Sequence, residues 1–386
     1  MPPYRHISVA VPLLAERDNL PLLLSRLRAQ TFRDFSLYLC VNNEEQGFGF
    51  DENQECLRLL QQVTDLPLVV IDRSSPGQGW TGKKKGVGWA RKLLFERIMA
   101  EHDDGELVVS LDADTDFDPD YLGAVLHTMN AHPASSAFAV PYYHPLCGEE
   151  SLDRPLLRYE CYMRHYLINL LLISSPYAFT ALGSAIVFPL WAYRRVGGIT
   201  PLQGGEDFYL LQKFAKTGIV ELTFASASHS HLTVRPQGRP SQRVPFGTGP
   251  AVAAGLDVMA TRYPFYSPDG FASVKVTYDA FPTLYDHDVE TPMSAFLRQQ
   301  LATDDLWQPL RRNFHTPQHF THACAERVDG LRILQYLKSN PAFRLPDQAL
   351  PANFRTDPVT ELDAFRNRLF EQEMSLRQKC ASAAHA

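Results

Sequence analysis

Two aspartates one residue apart, Asp112-Ala113-Asp114, follow the apolar run Leu107-Val-Val-Ser-Leu111. Paired carboxylates of this kind are hard oxygen donors suited to Mg2+ or Mn2+, which take few protein ligands and complete their shell with phosphate oxygens and water. A metal held there would neutralise charge on a leaving diphosphate. An EF-hand is excluded, because Phe117 stands where that loop needs glycine and Gly123 where it needs glutamate. A second acidic motif, Gly204-Gly205-Glu206-Asp207, opens a helix-like segment. Carboxylates at that position can cap free N–H groups. One of them can also serve as a general base toward a hydroxyl.

Basic and imidazole groups accompany these acids. Gly82-Lys83-Lys84-Lys85-Gly86 offers cations for a diphosphate, but the Gly-x4-Gly-Lys-Ser/Thr pattern of a P-loop is absent. Ser228-His229-Ser230-His231 follows a strand-like run. If extended, it would turn His229 and His231 to one side. Arg235, Arg239 and Arg243 lie in a Gly- and Pro-rich stretch of the kind that forms lids, and a guanidinium there suits phosphate geometry.

The elements that must position these groups alternate. Strand patterns at Ile7–Leu13, Phe35–Val41, Leu66–Ile71 and Leu107–Leu111 are separated by helical patterns at Asn19–Gln30, Gln54–Val63 and Lys84–Ala100. This order predicts βαβ units, a mostly parallel sheet flanked by helices, and ligands beyond the carboxyl ends of the strands. Further on, Ala137–Tyr143, Ala185–Phe188 and Ile219–Phe224 read as strands, and Asp153–Ile173 and Gly205–Lys216 as helices. Residues 235–250 read as a long loop. Asp118-Pro119 reads as a helix N-cap with proline at N1. After residue 250, proline recurs between helix-like pieces such as Val328–Lys338, and Thr360–Lys379 carries an apolar helical face. The expected organisation is an α/β catalytic domain over 1–250 and a mainly helical C-terminal extension over 251–386.

Composition narrows the function classes. A formal net charge of −6 lacks the basic footprint of a nucleic-acid-binding protein. Six cysteines without a CxxC pair argue against a zinc or redox motif and read as reduced thiols. The chain has no apolar run of the roughly 20 residues that a membrane helix needs, and its first residues lack a signal-peptide core. A cytoplasmic protein is expected, with peripheral membrane attachment compatible.

The motifs taken together resemble the GT-A glycosyltransferases, in particular the large family 2 of inverting enzymes. Val11-Pro12-Leu13-Leu14-Ala15-Glu16 resembles that family's I-P-x-Y-N-E opening, Val41-Asn42-Asn43 its V-D-D, and Gly86-Val-Gly-Trp-Ala-Arg91 its G-x-x-x-A-R-N helix. Asp112-Ala113-Asp114 matches its DxD, and Gly197-Gly198 followed by Gly205-Glu206-Asp207 matches its G-G…G-E-D segment. The order holds over residues 7–224.

The resemblance implies a Rossmann-like GT-A fold and a nucleoside-diphosphate sugar donor. By it, Pro12, Glu16 and Asn42 serve the nucleoside, and Arg91 with Lys83 or Lys84 serves the base or phosphate. Asp112 and Ala113 lie at the ribose and metal, and Asp114 binds the metal with His229 or His231 completing its shell. Arg239 and Arg243 close over the diphosphate, Asp207 is the base, and Glu206 positions the acceptor or the base. Inversion is the expected course, with retention the open alternative. Leu14-Ala15 replaces the family's Tyr-Asn and Asn42 its first aspartate, which leaves the nucleotide base open. The acceptor is open too, one with an apolar or lipid-linked part among the candidates. Two other functions share these features. A sugar-phosphate nucleotidyltransferase would want a glycine-rich loop that Leu13–Asp18 lacks, and a non-catalytic nucleotide-sugar-binding protein would not need both acidic motifs.

Overall fold

The computed structural model describes residues 3–45, 47–224, 229–240 and 247–384. The chain divides into two compact units, Met1–Leu156 with Phe179–Gly255, and Leu157–Ala178 with Leu256–Ala386.

The first unit is built on a seven-stranded sheet. Its first half comprises β1 (Ile7–Leu13), α1 (Leu20–Arg28), β2 (Phe35–Asn42), α2 (Phe50–Leu60), β3 (Leu68–Arg73), α3 (Val87–Glu101) and β4 (Leu107–Ser110). Every residue of β1 and β4 is buried, as expected for parallel strands covered on both faces. The helices between them are amphipathic at the spacing read from sequence; α1 buries Leu20, Leu23, Leu24 and Leu27. β1 pairs in parallel with β2 and β4, and β2 with β3.

The second half adds β5 (Thr115–Asp116), α4 (Tyr121–Ala131), β6 (Ala137–Ala139), α5 (Glu150–Leu172), β7 (Ile186–Pro189), α6 (Leu190–Arg195), α7 (Glu206–Thr217), β8 (Val220–Glu221), β9 (Arg235–Pro236) and α8 (Thr248–Arg262), although of α5 and α8 only residues 150–156 and 248–255 belong to this unit. The sheet order is β3-β2-β1-β4-β7-β6-β8, and β7 runs antiparallel to both β4 and β6. The sheet is therefore mainly parallel with one reversed strand. β1, β2 and β4 end on one side, and the loops carrying Glu16 and Asp112–Asp114 leave from there.

Several local expectations shift. The strand read at Ile219–Phe224 is only β8, and Ala137–Tyr143 stops at Ala139 apart from a bridge between Tyr142 and Val234. The stretch 235–250 is not wholly loop, because β9 pairs with β5 and α8 begins at Thr248. α4 begins at Tyr121 with Asp120 at its N-cap, so Asp118 is not the cap. Its Oδ1 instead accepts from the Asp120 N–H at 2.9 Å in a turn before the helix. α8 is interrupted at Gly255, whose φ of 70° lies outside the helical region, and the second unit begins at the next residue.

The second unit is mainly helical, with α9 (Pro268–Asp279), α10 (Ser294–Leu301), α11 (Gln308–Asn313), α12 (Pro317–Arg327), α13 (Gly330–Ser339) and α14 (Val359–Ala384). One two-stranded ribbon pairs β10 (Phe265–Tyr266) with β11 (Arg344–Leu345). Its core contains Phe265, Tyr266 and Phe271, so these aromatics of the Tyr263–Tyr285 segment pack inside it. It also contains a buried ion network. Arg164 donates to Glu160 at 2.9 Å and to Glu373 at 2.5 Å, and Arg377 donates to Glu373 at 2.9 Å. Each buried charge is compensated, so removing one member would strand its partners. No helix of the described residues is long and apolar enough to cross a membrane.

Candidate active site

A cleft of about 250 Å³ opens within the first unit at the carboxyl ends of β1, β2 and β4. Five carboxylates line it, Glu16, Asp112, Asp114, Glu206 and Asp207, with two guanidinium groups, Arg91 and Arg239. Pro12, Asn42 and Ala113 line it as well. The excess of negative charge in a half-enclosed space is a setting for a cation.

Arg91 organises one side. It projects from α3, is buried, and donates through Nη2 to Asp112 Oδ1 at 2.6 Å and through Nη1 to Glu206 Oε1. One guanidinium thus ties the aspartate after β4 to the glutamate that starts α7. Glu206 is fully buried, and its Oε2 has no hydrogen-bond partner among the described residues. The Arg91 group lies against Gly183, whose carbonyl accepts from Ser110 Oγ at 2.7 Å. A Cβ at position 183 would fall 1.9 Å from Arg91 Nη2. Gly183→Ala must therefore displace the guanidinium and leave Glu206 buried without its cation. We expect a stability loss of about 1–3 kcal/mol in a urea melt and a fall in turnover larger than that melt accounts for.

The opposite side is organised by Arg239. Its Nη2 donates to Asp114 Oδ2 at 3.2 Å and to Glu16 Oε2 at 3.3 Å. Glu16 is further oriented by Asn19 Nδ2 at 2.6 Å. Ala15, just before it, has a positive φ of 54°, an unfavourable conformation for a residue with a side chain. Arg239 reaches the site because β9 pairs with β5, directly after Asp114, and because Asp116 is clamped between Arg26 at 2.8 Å and Arg235 at 3.0 Å.

The electrostatics follow from this crowding. Burial pushes the Asp114 carboxyl up to about 6, with the charges of Asp112 and Glu16 adding to it and Arg239 opposing. Burial likewise raises Asp207 and Glu206, against the pull of Arg91. Asp207 Oδ1 accepts from the N–H of Phe208 at 2.7 Å at the start of α7. The carboxylates of Asp112, Asp114 and Glu16 are chemically matched to Mg2+ or Mn2+, and the half-buried, charge-crowded state of Asp114 fits a group that a divalent cation would relieve.

Other residues singled out in the sequence lie elsewhere or are already engaged. Asn42 is buried, with its amide donating to Leu13 O at 2.9 Å and its oxygen accepting from Trp80 Nε1 at 3.1 Å. Both ends of its side chain are thereby used in holding β1 and the Trp80 loop together. Lys83 and Lys84 are exposed and do not line the cleft, and Lys84 lies over the Trp89 ring at 5.6 Å. The His229–His231 segment is not extended, because Ser230–Leu232 forms a 3-10 turn. Alternation therefore fails, and the two imidazoles part. His231 Nδ1 lies 3.0 Å from Asp118 Oδ1, while His229 sets its ring edge-on to Phe224. Neither lines the cleft with Asp114. Arg243 lies outside the described residues.

Gly183, at the end of the Tyr177–Gly183 segment that the family resemblance sets beside an acceptor, lines the cleft, and so do residues passed over in the sequence, among them His144, Ser184, Gln237 and Thr248. Thr248 Oγ1 lies 3.4 Å from His144 Nε2. No local pattern marks them. Gly183 matters only because Arg91, 92 positions earlier, folds against it.

No family model matches the chain, and no curated protein matches it. Among solved structures it is similar to a mannosyltransferase, PcManGT from Pyrobaculum calidifontis, in complex with GDP-Man and Mn2+. That likeness has a TM-score of 0.40 and 14% identity over 98% of this chain and 85% of that one. It is also similar to TarS 1-349 from S. aureus, with a TM-score of 0.41 and 12% identity over 83% of this chain and 89% of that one. Likeness at this level does not bear on activity.

Proposed function

We propose that the cleft binds a nucleoside-diphosphate sugar and transfers the sugar to an acceptor hydroxyl, in the manner of a GT-A, family 2 glycosyltransferase. The observation that carries this reading is the convergence, past the ends of parallel strands, of Asp112 and Asp114 with Asp207 around Arg91 and Arg239. Mg2+ or Mn2+ would be held by Asp114 and Asp112, where it supplies charge neutralisation for the departing diphosphate.

The chain's own residues do the rest. Arg91 fixes Asp112 and Glu206 in place, so the two acidic motifs keep one geometry. Arg239 lies on the Asp114 side and is the cation available to a phosphate oxygen once Asp114 is otherwise engaged. Asp207 takes the acceptor proton. Its carboxylate is desolvated and therefore more basic than a surface aspartate, which suits a base working near neutral pH. Glu206, pinned by Arg91, positions rather than exchanges protons. A single base opposite a leaving diphosphate gives inversion. The catalytic part is taken as residues 1–250 without Leu157–Ala178, a segment that clusters with the extension over 251–386, and the acceptor is a hydroxyl compound of open class.

The test is release of nucleoside diphosphate from a panel of nucleotide sugars in Mn2+. Turnover of at least one donor, lost in Asp114→Ala, is expected. No release from any donor in any divalent metal would sink the reading.

A further inference from the structure

At the other ends of the same strands lies a second group of metal-ligand side chains. His6 precedes β1, Glu106 precedes β4, and His102 ends α3; the pairing of Ile7 with Leu107 sets the first two side by side. His6 Nδ1 lies 2.7 Å from Glu106 Oε1, and His102 Nδ1 lies 3.4 Å from Glu106 Oε2. All three ligand atoms fall within 4.8 Å of one another.

The outer nitrogens are held by hydroxyls on β2. Ser36 Oγ lies 3.2 Å from His6 Nε2, and Tyr38 Oη lies 2.9 Å from His102 Nε2. Tyr38 also donates its one hydroxyl hydrogen to Glu101 Oε2 at 2.9 Å, since a carboxylate only accepts. Its oxygen therefore accepts from His102 Nε2–H. His102 Nδ1 then faces Glu106 Oε2 across 3.4 Å. That spacing is about the edge of a tetrahedron whose centre lies roughly 2.0–2.2 Å from nitrogen and oxygen ligands, the bond lengths of Zn2+. His6 Nδ1 and Glu106 Oε1, at hydrogen-bond distance of 2.7 Å, would open by less than an ångström to admit the ion. Metal-bound histidine usually donates its far N–H to an acceptor that fixes the ring, and the two hydroxyl oxygens can fill that place here. Glu106 is buried and further oriented by Ser8 Oγ at 2.5 Å. The two imidazoles are about a quarter exposed, which leaves a path for the ion and a place for water.

The geometry points to a Zn2+ site formed by His6, His102 and Glu106, independent of the cleft. It ties the first ends of β1 and β4 to the end of α3. The test is equilibrium dialysis of the whole protein against Zn2+ with metal analysis, carried out on the wild type, His102→Ala, Tyr38→Phe and Asp114→Asn, each checked for folding by circular dichroism. The wild type and Asp114→Asn should retain one Zn2+ that folded His102→Ala lacks, and Tyr38→Phe should bind it about 10–100-fold more weakly. Co2+ in the wild type should show the strong visible absorption of a four-coordinate, nitrogen-containing site, absent in His102→Ala. Equal Zn2+ content in wild type and His102→Ala would overturn the proposal. So would bound Zn2+ lost only in Asp114→Asn, or a wild type that binds none.

Discussion

Asp207→Asn should lower kcat by about 10²–10⁴-fold while leaving donor KM within a few-fold. The amide keeps the shape of the side chain and can still accept from the Phe208 N–H, so α7 and the Arg91–Glu206 pair should stand. What it loses is the capacity to hold a proton taken from the acceptor. In the wild type, kcat should rise with pH as Asp207 ionises, and this limb lies above the ordinary aspartate range because burial raises the group. Glu206→Gln should behave differently. It removes the charge facing the buried Arg91, so it should reduce stability as well as rate. A rate for Asp207→Asn equal to that of the wild type would assign the proton transfer elsewhere.

Asp114→Asn should abolish metal-dependent turnover and at the same time stabilise the metal-free protein. The folded-state value of about 6 exceeds the unfolded one, so the fold prefers the protonated form. Below the unfolded value both states are protonated and the residue costs nothing. The penalty builds as pH rises toward 6 and is complete above it, at about 3 kcal/mol for roughly two units. Asparagine mimics the neutral form and removes that penalty. At pH 7.5 without metal, Asp114→Asn should therefore melt roughly 4–6 °C higher than the wild type, and at pH 4 the gap should shrink to about 1 °C. Mn2+ should raise the melting temperature of the wild type and leave the variant unmoved. Equal melting of the two proteins at pH 7.5 would show that Asp114 is not held under charge strain.

The first half of the sheet was legible because its strands are short apolar runs bounded by turns and its helices carry regular apolar stripes. Ile7–Leu13 and Leu107–Ser110 follow directly from those patterns. The later strands were overestimated. Ile219–Phe224 is apolar enough for six residues, but only Val220 and Glu221 enter the ladder beside β6, with the Ile219 carbonyl accepting from Ser136 N–H at 2.8 Å just before it. Pairing is a tertiary fact that an edge segment does not announce. The acidic groups of the cleft were likewise readable, since each sits at a strand end or helix start. The imidazoles were placed by an assumption of extended backbone, which the 3-10 turn at Ser230–Leu232 removes. Asn42 is a different case, a polar residue at a strand end that spends its hydrogen bonds on Leu13 and Trp80. Nothing in the order of residues distinguishes such an internal brace from a ligand contact.

A metal-assisted diphosphate site on Asp112 and Asp114, as proposed above, is tested by calorimetric titration of nucleoside diphosphates into the protein with and without Mn2+. At least one diphosphate should bind in Mn2+, at least about tenfold more weakly without it or in Asp114→Ala, and undiminished in Asp207→Asn. Failure of every diphosphate to bind in Mn2+, or binding that survives Asp114→Ala unchanged, would contradict it.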